Sequence, residues 1–210
     1  LQAIKAYRGA LRQDPENVKI LRDLSMLQVH MRDVAGFVET RNTLLTLKPT
    51  NKINWITFAV AKHLAKDYVG AIGVLEAYEN TLKGTPPPET STDRYEHSEM
   101  LLYKNELFVE AGRLHKALAH IDEISAQVVD KTGLTHRRAE LMLKLGRFEE
   151  ARKVYEGLVD RNVENIQSHA GLQAATLRRS EAVDRWLDVE VDSATEATLS
   201  ELYARLRAAH

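Results

Sequence analysis

Apolar residues recur along this chain at helical spacing, and short polar breaks of regular period separate the recurrences. Ile4, Tyr7, Ala10 and Leu11 make a first stripe, which Asp14-Pro15-Glu16-Asn17 ends while capping the next helix. Leu21, Leu24, Leu27 and Met31 form a second stripe; after an Arg32-Asp33 turn, Phe37, Arg41, Leu44 and Leu45 form a third that runs to Pro49. A helix starting near Asn51 carries two stripes, Trp55, Phe58 and Ala59 on one side and Ile53, Ile56, Val60 and Leu64 on another. A helix apolar on two sides is expected to be buried on both. Its partner, from about residue 68 to 82, holds Ala71 and Leu75 with Gly70 and Gly73 beside them. Small residues there let backbones approach, at a helix-propensity cost of roughly 1 kcal/mol per glycine.

Residues 84–93 are Gly-Thr-Pro-Pro-Pro-Glu-Thr-Ser-Thr-Asp, and three prolines predict an extended loop that interrupts the register. Helices are then expected from about residue 94 to 111 and from 114 to 129. A further pair over about 131–161 uses Leu141, Leu145, Phe148, Ala151 and Tyr155. Asn162-Val163-Glu164-Asn165 repeats the earlier cap and opens a helix to about residue 177. Beyond Ser180 the pattern fades, with Trp186, Leu187, Leu199, Leu202, Tyr203 and Leu206 predicting two more helices.

The breaks keep a common period. Pro15 and Pro49, Asp33 and Asp67, and Gly112 and Gly146 are each 34 residues apart. Trp55, the Asp67 turn, Tyr68, Ala71 and Leu75 make one unit that resembles a tetratricopeptide (TPR) hairpin. That resemblance implies an all-α fold, a TPR-like α-α superhelix built as a right-handed solenoid of helical hairpins, each covering its neighbour's apolar face. The expected organisation is TPR-like repeats over 1–83 with the first reduced to its second helix, a Pro-rich loop over 84–93, TPR-like repeats over 94–177 and divergent C-terminal helices over 178–210. An array that opens inside a second helix is expected to be a segment of a longer one, with the true N-terminus and any targeting signal lying outside it.

Composition narrows the function classes. Twenty-nine basic and 30 acidic side chains give a net charge of −1, and no overall field gathers DNA or an anionic membrane. The absence of cysteine excludes disulfides, thiolate zinc sites and a cysteine nucleophile, and favours a cytoplasmic home. No apolar run approaches the roughly 18 residues that suggest a membrane span. The eight histidines never fall four apart, and there is no Gly-rich phosphate loop and no G-x-S-x-G elbow. No catalytic residue, cofactor or metal is therefore expected.

In TPR arrays the first helix of each hairpin lines a concave groove. Those places hold Lys19, Arg22, Met26, Val29 and His30, then Ile53, Ile56, Val60, His63 and Leu64, then Glu99, Leu102, Glu106, Val109 and Glu110. The candidate partner-binding residues are Arg22, Met26, Ile53, Ile56, Val60 and Leu64, an apolar surface suited to a folded or helical protein. The competing expectation is that curvature or the Pro-rich loop covers the Ile53–Leu64 stripe. The TPR clamp for a C-terminal carboxylate is not reproduced, because Met26, Thr57, Glu99 and Tyr103 stand where its Asn, Lys and Arg residues belong. Lys131, Arg137, Arg138, Lys144, Arg147, Arg152 and Lys153, followed by Arg178-Arg179, form a basic cluster. RNA or an inositol polyphosphate would suit it, but interspersed Glu140, Glu149, Glu150 and Glu156 favour an ordinary solvated face.

A closer resemblance lies mostly outside the repeat consensus. Ile20-Leu21-Arg22-Asp23-Leu24-Ser25-Met26-Leu27-Gln28, Met31-Arg32-Asp33, Glu39-Thr40-Arg41 with Leu44-Leu45, and Leu47-Lys48-Pro49 are similar to early repeats of the auxiliary subunit of the NatA N-terminal acetyltransferase. Asn54-Trp55-Ile56 with Ala59 and Ala61, the stretch Tyr95-Glu96-His97-Ser98-Glu99-Met100-Leu101-Leu102-Tyr103-Lys104-Asn105, and Glu140-Leu141-Met142-Leu143 extend the likeness, which covers about residues 1–177. It implies a non-catalytic scaffold that cradles the catalytic acetyltransferase subunit and helps tether it to the ribosome for co-translational acetylation of nascent chains. Acetyl-CoA then belongs to the catalytic subunit. The other reading is a generic TPR adaptor that binds an unrelated protein or peptide in the groove.

Overall fold

A computed structural model describes residues 2–86, 90–180 and 193–209, and among these it contains eleven α-helices and no strand. The chain forms two compact units, Leu1–Gly112 and Arg113–His210. The first holds α1 (Gln2–Gln13), α2 (Val18–His30), α3 (Val34–Leu47), α4 (Lys52–Leu64), α5 (Tyr68–Thr81) and α6 (Ser91–Glu110). The second holds α7 (Leu114–Ile124), α8 (Lys131–Lys144), α9 (Phe148–Arg161), α10 (Ile166–Thr176) and α11 (Ser193–Ala209). Within each unit, helices pack chiefly on their sequence neighbours, as expected of repeats whose apolar faces are covered by the next element.

Local chemistry sets the helix starts. Asn17 and Asn51 accept hydrogen bonds from the N–H groups of Ile20 and Ile53, and Asp33 and Asp67 accept from those of Gly36 and Gly70. In the second unit Asp130 accepts from Gly133 N–H and Asn165 from that of Ser168. Three caps thus share the pattern Asp-x-x-Gly, and a reason for the glycine is visible. A Cβ at Gly36, Gly70 or Gly133 would collide with the capping carboxylate. Gly70 is therefore small where its own capping carboxylate sits. Gly73 meets nothing within 4 Å of where a Cβ would sit, so the expected close backbone approach is absent there.

The tight turns use one left-handed residue each. Gly112 and Gly146 have φ of 71° and 72°, whereas Arg32, Lys66 and Arg178 take φ of 58°, 59° and 53° at the corresponding place despite their side chains. Two helix boundaries differ from the sequence pattern. Helix α6 begins at Ser91 because Thr90 accepts a hydrogen bond from Asp93 N–H, so the helix starts inside the stretch read as loop. Helix α7 ends at Ile124 rather than near 129, and the Lys131 ammonium donates to the carbonyls of Ser125 and Ala126 just beyond it. Trp186 and Leu187, expected in one of two late helices, lie outside the described residues.

The core of the first unit includes Leu44, Ala59, Ala71 and Leu75, each with no exposed surface. Burying each leucine contributes roughly 2 kcal/mol. Trp55 leans on Tyr78 of α5 with ring centroids 5.9 Å apart, and its indole N–H donates to the Pro49 carbonyl. Asn54 donates from one amide nitrogen to the Leu44 and Lys48 carbonyls, which secures the end of α3 against the start of α4. In the second unit Ala139, Leu143, Ala151, Tyr155 and Leu172 occupy the equivalent interior.

Candidate partner-binding groove

In the first unit, the expected groove residues sit on α2 and α4 and are joined through a side chain of α3. Arg22 is exposed, Met26 is 63 % exposed, Ile53 59 % and Leu64 52 %, while Ile56 and Val60 are half-buried. The two stripes of α4 thus differ: Phe58 and Ala59 are buried against the hairpin partner, and the Ile53–Leu64 side is open at both ends. Burial on both sides was expected, and the described residues do not provide it.

Arg41 connects these helices. It occupies an apolar-stripe position of α3 one turn after Phe37, and its guanidinium lies 5.3 Å from the centre of that ring. One terminal nitrogen donates to Thr57 Oγ1 on α4 at 3.3 Å, and the other lies 3.9 Å from the Met26 sulfur on α2. The side chain is only 8 % exposed, and its Nε has no hydrogen-bond partner. Burial lowers its pKa, and the neighbouring Arg22 charge lowers it further. Thr57 in turn donates its hydroxyl to the Ile53 carbonyl one turn back at 2.7 Å. Sequence reasoning placed Arg41 in the hairpin interior and missed its reach into the groove. The available signal was a lone cation in an otherwise apolar stripe.

A second polar joint links α4 to α6. His63 Nε2 faces a Glu110 carboxylate oxygen at 3.0 Å, and Nδ1 faces the Tyr103 hydroxyl at 3.0 Å. A carboxylate only accepts, so Nε2 carries a proton, and in the neutral imidazole the tyrosine then donates to Nδ1. Burial, then the Glu110 charge, pushes the Tyr103 phenol up to about 12. Lys52 also pairs with Glu96, and Lys104 with Glu79 at 2.6 Å. Around the apolar side of α4, then, Arg22 is exposed beside the buried Arg41, and Glu110 of α6 meets His63.

Four arginines of the basic cluster in the second unit are answered by carboxylates. Arg138 pairs with Asp122, Arg147 with Glu150, Arg152 with Glu149 and Glu156, and Arg178 with Glu149. Such pairs on an exposed face contribute little stability and reduce the positive field of the arginines that make them. Ser168 and His136 approach to 3.2 Å, but both are buried, so the pair presents no nucleophile to solvent.

Comparison with known proteins agrees with this architecture and goes beyond it. The family model described as N-terminal acetyltransferase A, auxiliary subunit, matches residues 95–210. That match runs through the C-terminal helix, which corrects the limit of about residue 177 drawn from sequence motifs. The chain is 46 % identical over 97 % of its length to the N-terminal acetyltransferase A complex auxiliary subunit NAA15 of Arabidopsis thaliana, of which it spans 23 %. It is 45 % identical over 83 % of its length to N-alpha-acetyltransferase 16, NatA auxiliary subunit, of Homo sapiens, of which it spans 20 %. The chain thus spans about a fifth of the length of these curated relatives. Among solved structures, one of Naa15/Naa10 bound to HypK-THB superposes with a TM-score of 0.78 at 39 % identity, covering 97 % of this chain and 29 % of that one. A TPR protein, YrrB, matches at a TM-score of 0.53 and 11 % identity, covering 94 % of this chain and 99 % of that one, a likeness of fold alone. The chain belongs to the family of N-terminal acetyltransferase A auxiliary subunits.

Proposed function

We propose that this chain is part of a non-catalytic scaffold that holds a catalytic acetyltransferase subunit and helps keep it at the ribosome, in the cytoplasm, for co-translational acetylation. The observation that carries this reading is the likeness, over 97 % of the chain, to a protein solved together with Naa10. Within the chain, Arg22, Met26, Ile53, Ile56, Val60 and Leu64 are the residues we assign to partner contact, since they lie on first helices with Arg22, Met26, Ile53 and Leu64 exposed and Ile56 and Val60 half-buried. Repeat arrays of this kind bind by extended surface rather than by one pocket.

The test uses the full-length subunit recovered from its native extract. An acetyltransferase, ribosomal proteins and acetyl transfer to a Ser- or Ala-initiated peptide are expected to accompany it. Replacing Ile56 and Val60 by Asp is expected to lower recovery of the partner while circular dichroism shows helicity retained. Recovery of no acetyltransferase would leave a TPR adaptor for an unrelated protein. Recovery unchanged by Ile56→Asp and Val60→Asp would remove α4 from the interface.

A further inference from the structure

Arg41 is an unusual floor for an apolar groove. A guanidinium offers five N–H donors, yet here it makes one long hydrogen bond, 3.3 Å to Thr57, and a weak contact with the Met26 sulfur. Its Nε is buried without a partner, and the charge acting on it is a second cation, Arg22. No carboxylate among the described residues pairs with either arginine. Buried charge normally persists where an opposite charge or a full set of hydrogen bonds answers it. Two neighbouring cations without an acid therefore mark a place where the acid comes from elsewhere.

The surroundings restrict what carries that acid. Met26 is 63 % exposed and unbranched, able to swing aside or pack on an incoming aliphatic group. Beyond Thr57, the same side of α4 continues through Val60 to Leu64, 52 % exposed. A free inorganic anion would use the arginines and leave this apolar strip uncovered. A polypeptide that places Asp or Glu beside Leu-type side chains uses both.

We propose that the α2–α3–α4 groove receives an acidic, leucine-rich segment of a partner protein, with one carboxylate seated on Arg22 and Arg41 and apolar side chains lying along Val60 and Leu64. This deepens the reading of the groove as a partner surface and names the chemistry of its occupant. The carboxylate replaces the missing acid and accepts from guanidinium donors, a charge-assisted pairing for which arginine is suited. It differs from a C-terminal carboxylate clamp because the acid is a side chain within the segment, so a blocked C-terminus leaves it intact.

The test is fluorescence anisotropy with the full-length protein and a labelled, C-terminally amidated peptide, Asp-Leu-Leu-Glu-Leu-Leu-Asp-Leu. The control peptide carries Asn and Gln in place of the acids. The acidic peptide is expected to bind about ten- to a hundredfold more tightly, the range that one or two charge-assisted hydrogen bonds supply. Arg22→Glu, at an exposed site, is expected to abolish that preference without changing helicity. Arg41→Met is expected to do the same, and if it fails to fold, Arg22→Glu decides alone. Equal binding of both peptides, binding of neither up to millimolar concentration, or a preference that survives Arg22→Glu overturns the proposal. None of these outcomes bears on recovery of the acetyltransferase by the same subunit, which is read separately.

Discussion

The Tyr155 ring lies directly over the Cα of Gly171, so that α9 and α10 approach more closely than any side chain at residue 171 would allow. A Cβ there would overlap three ring carbons of a tyrosine that is 1 % exposed. Gly171→Ala is expected to destabilise the second unit by about 1–3 kcal/mol, the usual cost of overpacking a closed core. Thermal and urea denaturation of the single variant measure it. Gly73→Ala, with open space around the site, is expected to stabilise by about 1 kcal/mol through helix propensity.

Lys66 and Arg32 take left-handed backbone where Gly112 and Gly146 do so without strain. For an L-residue that conformation costs about 1 kcal/mol. Lys66→Gly and Arg32→Gly are each expected to raise stability by up to about that amount, and Gly146→Ala to lower it similarly. Urea midpoints at neutral pH distinguish the three.

Tyr103 supplies a pH dependence whose direction follows from burial. Its pKa is raised from 10.0 to about 12 in the folded protein. Below pH 10 the phenol is protonated in both folded and unfolded states and contributes no slope. Above that value the unfolded chain loses the proton first, so stability falls as pH rises toward about 12. Tyr103→Phe is expected to flatten this part of a stability-against-pH curve measured by urea denaturation. An unchanged slope would assign the alkaline loss to other groups, Tyr155 first among them, since burial raises its pKa as well.

The period was legible before any coordinates, because each hairpin repeats the same breaks and buries the same places. Asp33 and Asp67 stand 34 residues apart since each caps the second helix of a hairpin, and the turn before each must be left-handed at one residue. What stayed hidden was anything decided between hairpins. Arg41 reads as an interior residue in its own helix, and only the neighbouring helices show that it reaches Met26 and Thr57. The small residues around Gly73 predict a close approach that the structure makes at Gly171 instead, since one-helix patterns do not tell a close approach from open space. The stripe from Ile53 to Leu64 is legible from spacing, but spacing alone does not tell how far it is covered: its ends are exposed and Ile56 and Val60 are half-buried.

The polar joints of the first unit have a mechanical consequence. Arg41 spans from α3 to the helices on either side, and His63 ties α4 to Tyr103 and Glu110 on α6. Directional bonds of this sort resist sliding more than apolar contacts do, and they lie beside the face proposed for partner contact. On the proposed reading, a bound carboxylate that draws Arg41 away from Thr57 slackens the seam between two hairpins. The array's local stiffness and its occupancy become one variable.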